Sequence, residues 1–130
     1  MAKAAILKGV IMTWNLFLDD ERNLEDVTWA PWQVREKYRN EEWVICRTLD
    51  DVSSVIMARG MPSYISFDHD LGQYKTTGYD IAKFIINWSM NDPYNPLPDD
   101  FSFYVHSQNP IGKANIEGLL NNYLSFRDKT

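Results

Sequence analysis

Three short clusters hold the residues of this chain best suited to acid–base, metal or phosphate chemistry: Asp19-Asp20-Glu21, Asp68-His69-Asp70 and His106-Ser107-Gln108-Asn109-Pro110. Adjacent carboxylates repel one another and raise each other's pKa unless a cation or hydrogen-bond donors share them. Asp19 and Asp20 therefore read either as a divalent-metal cradle of oxygen ligands, Mg2+ most naturally, or as a solvated strand end that caps the next turn. In the second cluster, carboxylates beside an imidazole fix its tautomer and raise its basicity, which suits proton transfer or metal ligation. The plainer reading is a turn in which Asp70 bonds backbone amides ahead of Gly72. The third cluster holds the other of the two histidines. Ser107 and Asn109 are able to bond phosphate oxygens, and Pro110 opens a helix whose free amides face the same space. Ser107 or Asn109 as a helix cap is compatible with that role. Tyr79 reads as a pocket wall or a core aromatic, and Lys113 as an anion ligand or an exposed lysine. Trp29 and Trp32 read as a lid over a base or ribose, or as packing against the sheet.

The elements that must position these clusters alternate in type. Trp14–Leu18 is an apolar run that stops at the first acidic cluster, as a buried parallel strand does where it emerges. Residues 23–40 read as a long loop with at most one helical turn, broken by Pro31. Trp43–Thr48 is a second strand, followed by a helix from Leu49 to about Arg59 that Gly60 closes. Tyr64–Phe67 is a third strand, and after a loop over Gln73–Thr77 a helix begins at Gly78, with Ile81, Phe84, Ile85 and Trp88 at helical spacing. The proline-rich stretch 91–100 is a connection, Phe101–Val105 a fourth strand, and residues from about 111 to 127 a last helix. Such alternation predicts a parallel α/β sheet, in which ligands bind outside the carboxyl ends of the strands. All three clusters fall at strand ends.

Bulk composition narrows the setting. The chain has 130 residues, enough for a single domain, and a formal net charge of −5 argues against broad electrostatic attraction to duplex nucleic acid. Its single cysteine, Cys46, excludes an internal disulfide and a multi-cysteine zinc site, and its neighbours make it a core residue. No run approaches the roughly 20 apolar residues of a membrane span, and no signal-peptide pattern is evident, so the expectation is a cytoplasmic protein. Residues 1–14 read as an extension or edge segment, Met1 to Ile11 falling ahead of a start near Met12, and residues 15–130 as one domain.

The motifs Leu16-Phe17-Leu18-Asp19-Asp20-Glu21-Arg22, Ile65-Ser66-Phe67-Asp68-His69-Asp70-Leu71-Gly72, Gly78-Tyr79-Asp80-Ile81-Ala82 and Val105-His106-Ser107-Gln108-Asn109-Pro110-Ile111-Gly112 resemble the cyclic-phosphate-processing receiver-like family. The resemblance runs from about residue 15 to 120. It implies a receiver-like (flavodoxin-like) three-layer sandwich, here truncated to about four parallel strands with flanking helices. The wider likeness is to receiver domains of two-component signalling, which carry an acidic pair after the first strand and a phosphoacceptor aspartate after the third. Asp19-Asp20 match the first, and Asp68 or Asp70 the second. This chain departs from them in having His106-Ser107 where a plain Ser or Thr stands, and in lacking an evident fifth strand with its lysine.

The activity so implied is that of a phosphoesterase acting on cyclic phosphates of nucleotides or RNA ends. His69 and His106 would exchange protons with the ester, and Asp68 or Asp70 would orient His69. Ser107, Asn109, Lys113 and Tyr79 would contact substrate. Asp19, Asp20 and Asp68 would hold Mg2+ or Mn2+, with a metal site that includes both imidazoles as a variant. The rivals are a non-catalytic receiver-like module that binds a nucleotide or a protein partner, and a true phosphoacceptor.

Overall fold

In a computed structural model of the chain, residues 6–7, 10–11, 13–71 and 76–129 are described. The loop expected over 73–77 lies largely outside these residues, as do Gly72 and most of residues 1–12. Ile6–Leu7 (β1) and Val10–Ile11 (β2) form a small antiparallel ladder. The remaining strands are Asn15–Leu18 (β3), Trp43–Cys46 (β4), Tyr64–Phe67 (β5) and Ser102–Val105 (β6). They pair in parallel in the order β4-β3-β5-β6. This is the strand order 2-1-3-4 of a doubly wound flavodoxin-like sheet, with no fifth strand among the described residues, and its switch point lies between β3 and β5. Among the described residues no helix is long and apolar enough to cross a membrane.

Alternation along the strands divides the core. Leu16, Leu18, Cys46, Ile65, Phe67 and Val105 are buried with Val52 and Ile56 of helix Leu49–Arg59 (α2), Ile81 and Ile85 of helix Gly78–Asn91 (α3), and Ile116 and Leu120 of helix Pro110–Asp128 (α4). Phe17 packs on the opposite face with Tyr38, Val27 and Ala30, and with half-buried Trp43 and Tyr104. Among the described residues that face carries one α-helix, Trp32–Asn40 (α1), so the layers are unequal.

Helix α1 corrects the expectation of a loop over 23–40. Pro31 starts the helix rather than breaking it: its carbonyl accepts from the amides of Val34 and Arg35. Proline is tolerated there because it lacks only a donor that the first turn would leave unused. The periodicity was weak because Tyr38 is the helix's one buried residue. A 3-10 turn, Leu24–Asp26, precedes it. The other helices begin as expected, α2 capped by Thr48, α3 by Thr77 and α4 by Asn109, each side chain accepting an amide of the first turn.

The ladder continues one residue beyond three of the strands. The amide of Asp19 donates to the Cys46 carbonyl, that of Asp68 to Leu18, and that of His106 to Phe67. Given the pairings Leu18↔Phe67 and Phe67↔Val105, Asp19, Asp68 and His106 occupy one rung at the carboxyl edge. The start of α3 lies against the same edge, the Gly78 amide donating to the His69 carbonyl at 2.7 Å. A Cβ at Gly78 would stand 1.8 Å from the carbonyl oxygen of Asp68. Gly78→Ala is therefore expected to lower stability by about 3 kcal/mol or more, because backbone has to move. Urea unfolding measures this, and a loss below about 1 kcal/mol would show that this approach is not needed.

Candidate functional site

The rung places two carboxylates and an imidazole close together. Asp19 is fully buried, and its Oδ1 accepts from the amides of Glu21 (3.0 Å) and Arg22 (2.8 Å) while its Oδ2 meets His106 Nε2 at 2.9 Å. Burial favours the neutral acid, but the bonds from His106 and the two amides outweigh it and hold the carboxyl at about 2. Asp68 is buried too, and its Oδ1 accepts from the His69 amide at 2.8 Å. Burial first, then the negative charge of Asp19, push Asp68 up to about 7, against the pull of that amide and of Arg22. One carboxylate of the pair is thus ionised across the physiological range, while its neighbour titrates within it.

His106 is wholly enclosed. Its ring stacks on Phe17, with centroids 4.6 Å apart and planes within 1°, and its Nδ1 lies 2.8 Å from Ser66 Oγ. Ser66 Oγ in turn lies 2.6 Å from the Tyr38 hydroxyl. Burial lowers the pKa of His106, although its bond to Asp19 acts the other way. An ionised Asp19 accepts only, so the neutral ring carries its hydrogen on Nε2, and Nδ1 accepts from Ser66. Ser66 then accepts from Tyr38. The result is a directed chain, Tyr38 to Ser66 to His106 to Asp19, with no buried side-chain polar atom lacking a partner among the described residues.

Arg22 completes the centre. Its guanidinium lies 3.6 Å from Asp19 Oδ2 and 3.9 Å from Asp68 Oδ2, donates to Gln108 Oε1 at 3.3 Å, and sits over the Trp29 ring. Trp29 is itself tied down by its indole N–H, which donates to the His106 carbonyl at 2.8 Å. Above the rung opens a cleft of about 440 Å³ lined by Asp20, Glu21, Arg22, Asp68, Asp70, Ser107, Gln108 and Asn109. Asp20 is raised above the usual carboxylate range by burial and by its charged neighbours Asp19 and Glu21, although its own amide and Arg22 pull the other way.

The expected site residues separate into two groups. Asp20, Asp68, Asp70, Ser107 and Asn109 line the cleft, with Asp19 beneath it. The imidazoles do not. Both nitrogens of His106, the ring expected to face a phosphate, are engaged by protein side chains. His69 binds Asp70 Oδ1 through Nδ1 at 3.0 Å and lies against the start of α4. Asp70 accepts from Asn109 Nδ2 at 3.3 Å, and Asn109 Oδ1 caps Gly112, so this group ties the β5–α3 and β6–α4 loops together. Its bonds reduce the Asp70 pKa, that from His69 most. Lys113 folds onto β6 outside the cleft, donating to the Val105 carbonyl at 2.7 Å over the Tyr104 ring, and Tyr79 packs against the larger core. Trp32 is exposed, whereas Trp29 covers Arg22.

Sequence reasoning gave no role to Arg22, Gln108, Ser66 or Tyr38. A lone cation three residues after Asp19 was the signal for Arg22, and a hydroxyl inside the apolar run Ile65-Ser66-Phe67 the signal for Ser66. Tyr38 had none.

Asp19, Asp68 and His106 each offer one ligand atom within 4.8 Å of the others. As arranged they do not fit a divalent ion. His106 Nε2 directs a hydrogen at Asp19, and the guanidinium is already placed 3.6 and 3.9 Å from the Oδ2 atoms of Asp19 and Asp68. Asp20, the remaining expected ligand, lines the cleft outside this group.

Compared with known families, residues 14–122 match the one described as the cyclic-phosphate processing receiver domain. No curated protein and no solved structure gives a significant match.

Two measurements test this geometry. A Cβ at Gly112 would stand 2.3 Å from His69 Cγ, so Gly112→Ala is expected to cost about 1–3 kcal/mol, most of it recovered when His69→Ala is added. Additive losses in the double-mutant cycle would mean that the ring is not what Gly112 accommodates. The second concerns Asp68, whose folded pKa of about 7 lies above its unfolded value near 3.8. Between these values the folded state holds a proton that the unfolded chain has released. The associated stability is complete at low pH and is lost as pH rises through about 7. Asp68→Asn is expected to gain on the wild type by about 2–4 kcal/mol from pH 4 to pH 8 in urea unfolding. Comparing the two proteins cancels His106, whose depressed pKa acts in the opposite sense, and a constant difference across that range would refute the assignment.

Proposed function

The chain belongs to the family of cyclic-phosphate processing receiver domains, and from that premise we propose that it is a phosphoesterase that opens a cyclic phosphodiester, on a nucleotide or an RNA end, in the cleft above β3, β5 and β6. One observation carries the reading. Two buried carboxylates on neighbouring strands have been driven apart in ionisation, Asp19 to about 2 and Asp68 to about 7, and such splitting of a titrating pair is how acid–base roles are assigned in enzymes.

Ring opening needs a water to lose a proton as its oxygen bonds phosphorus, while the P–O bond to the leaving ribose oxygen breaks and that oxygen gains a proton. Asp68 borders the cleft and exchanges its proton near neutrality, so its carboxylate takes the proton from water. The leaving oxygen takes one from the solvent of the open cleft. Arg22 faces the developing charge on the non-bridging oxygens. The Ser107 hydroxyl already accepts from the Asn109 backbone amide, leaving its own hydrogen for the ester, and the Gln108 side-chain NH2, whose carbonyl oxygen holds Arg22, adds a donor.

His106 acts here as a positioning residue. By donating to Asp19 it keeps that carboxylate ionised, and the charge of Asp19 in turn helps to raise Asp68. The role first expected for two imidazoles thus passes to Asp68. The cleft is rich in carboxylates, so a ligand of low charge is favoured, and a cyclic phosphodiester carries a single negative charge where an open phosphate monoester carries nearly two.

A second reading, a receiver-like module that binds a nucleotide or a partner without turnover, draws support from the engagement of both histidines in internal bonds. Assays of 2′,3′-cyclic nucleotides, 3′,5′-cyclic nucleotides and cyclic-ended RNA separate the two. Turnover is expected in the wild type, falling as pH drops below about 7. In Asp68→Asn it is expected to fall by about 10²–10⁴ with ligand affinity largely kept. Well-folded wild-type protein that binds but turns over none of these esters would establish the binding module.

A further inference from the structure

We propose that Arg22 is the resident cation of this cleft, its guanidinium taking the place between Asp19 and Asp68 that a divalent metal ion would occupy, so that the native site meets its anionic ligand without a metal. The inference concerns what fills the centre, and it holds or fails whether or not the cleft turns over an ester.

The placement of Arg22 is built from several elements at once. Its amide donates to Asp19 Oδ1, and its carbonyl accepts from Arg47, at the end of β4. Arg47 also donates to the Asp19 carbonyl and to Asn23 Oδ1, which tethers the loop on both sides of Arg22. The guanidinium lies over Trp29 and donates to Gln108. The end of β4 therefore fixes the backbone at Arg22, while the loop through Trp29 and the β6–α4 connection through Gln108 hold its guanidinium beside the two carboxylates.

Its position excludes a second cation. Mg2+ and ions of its size bind carboxylate oxygens at about 2.1 Å. An ion shared by Asp19 Oδ2 and Asp68 Oδ2 would lie against a guanidinium that is itself 3.6 and 3.9 Å from those atoms. The third potential ligand, His106 Nε2, would have to give up the hydrogen it donates to Asp19 and reverse the chain through Ser66 and Tyr38. Arginine does not lose its proton in proteins, so its charge is permanent, and its planar fork suits a phosphate group. With its side chain 31% exposed, Arg22 can neutralise the two carboxylates and still present N–H groups to the cleft.

The test is a Mn2+ titration followed by electron paramagnetic resonance and by calorimetry, in the absence of phosphate. It compares the wild type, Arg22→Ala, and Arg22→Ala combined with Asp68→Asn. The wild type is expected to show no site tighter than about 1 mM. Arg22→Ala is expected to acquire a single site at least about tenfold tighter, and the added Asp68→Asn change to abolish it. Arg22→Gln, which removes the charge but keeps a hydrogen-bonding side chain, replaces Arg22→Ala if the latter does not fold. A single tight Mn2+ site in the wild type would overturn the proposal. So would folded charge-removal variants that gain no affinity for the ion.

Discussion

Two carboxyl groups, Asp19 and Asp68, are held on adjacent strands of one rung and buried together. Parallel strands sit about 4.8 Å apart, and the shared ladder leaves these residues no freedom to separate. Two negative charges at that distance, out of water, repel strongly. The surrounding structure reads as the resolution of that conflict. Asp19 receives two amides and an imidazole and stays ionised, Asp68 receives little besides one amide and drifts toward neutrality, and Arg22 lies against both. The same arrangement accounts for the burial of His106, which reaches across β5 to bond Asp19 while stacked on Phe17.

The fold makes room for that arrangement through its asymmetry. Three helices cover one face of the sheet and anchor it with the larger core. Among the described residues the other face carries α1 and the loop before it. On that thinner face Phe17, Ser66 and Tyr38 lie directly below the rung, so a polar chain runs from the helix layer to the site between aromatic side chains. Tyr38 is both the buried anchor of α1 and the first donor of this chain. Helix packing and site electrostatics therefore share a residue, and a buried polar network of this kind holds its geometry only while every member is satisfied.

Much of the fold was legible because short apolar runs that end in polar clusters leave few alternatives. β3, β5 and β6 end where the acidic and histidine clusters begin, α2 was marked by its closing Gly60, α3 by Gly78 and its helical spacing, and α4 by the cap candidates Ser107 and Asn109 with Pro110. Helix α1 was not legible, because a helix that buries only Tyr38 leaves almost no periodic signal and Pro31 reads as a break until its position at the helix start is known. Within the site, the cleft residues Asp20, Asp68, Asp70, Ser107 and Asn109 could be named from their position at strand ends. Lys113 and Tyr79 could not be placed, since a one-residue rotation on a helix decides whether a side chain meets the cleft or the sheet edge.

By itself the sequence determined which residues reach the carboxyl edge of the sheet, since alternation of strand and helix sends every strand end to the same side. It could not determine what those residues do there. Residue types are local, but protonation and orientation arise from neighbours that are distant in the chain: Asp19 from His106, 87 positions away, and Ser66 from Tyr38 and His106, 28 and 40 positions away. Only tertiary contact could decide that His106 is enclosed while Asp68 borders the cleft, that the two carboxyls part in ionisation, and that Arg22 lies between them. Burial and electric field belong to the assembled rung and to no single segment of it.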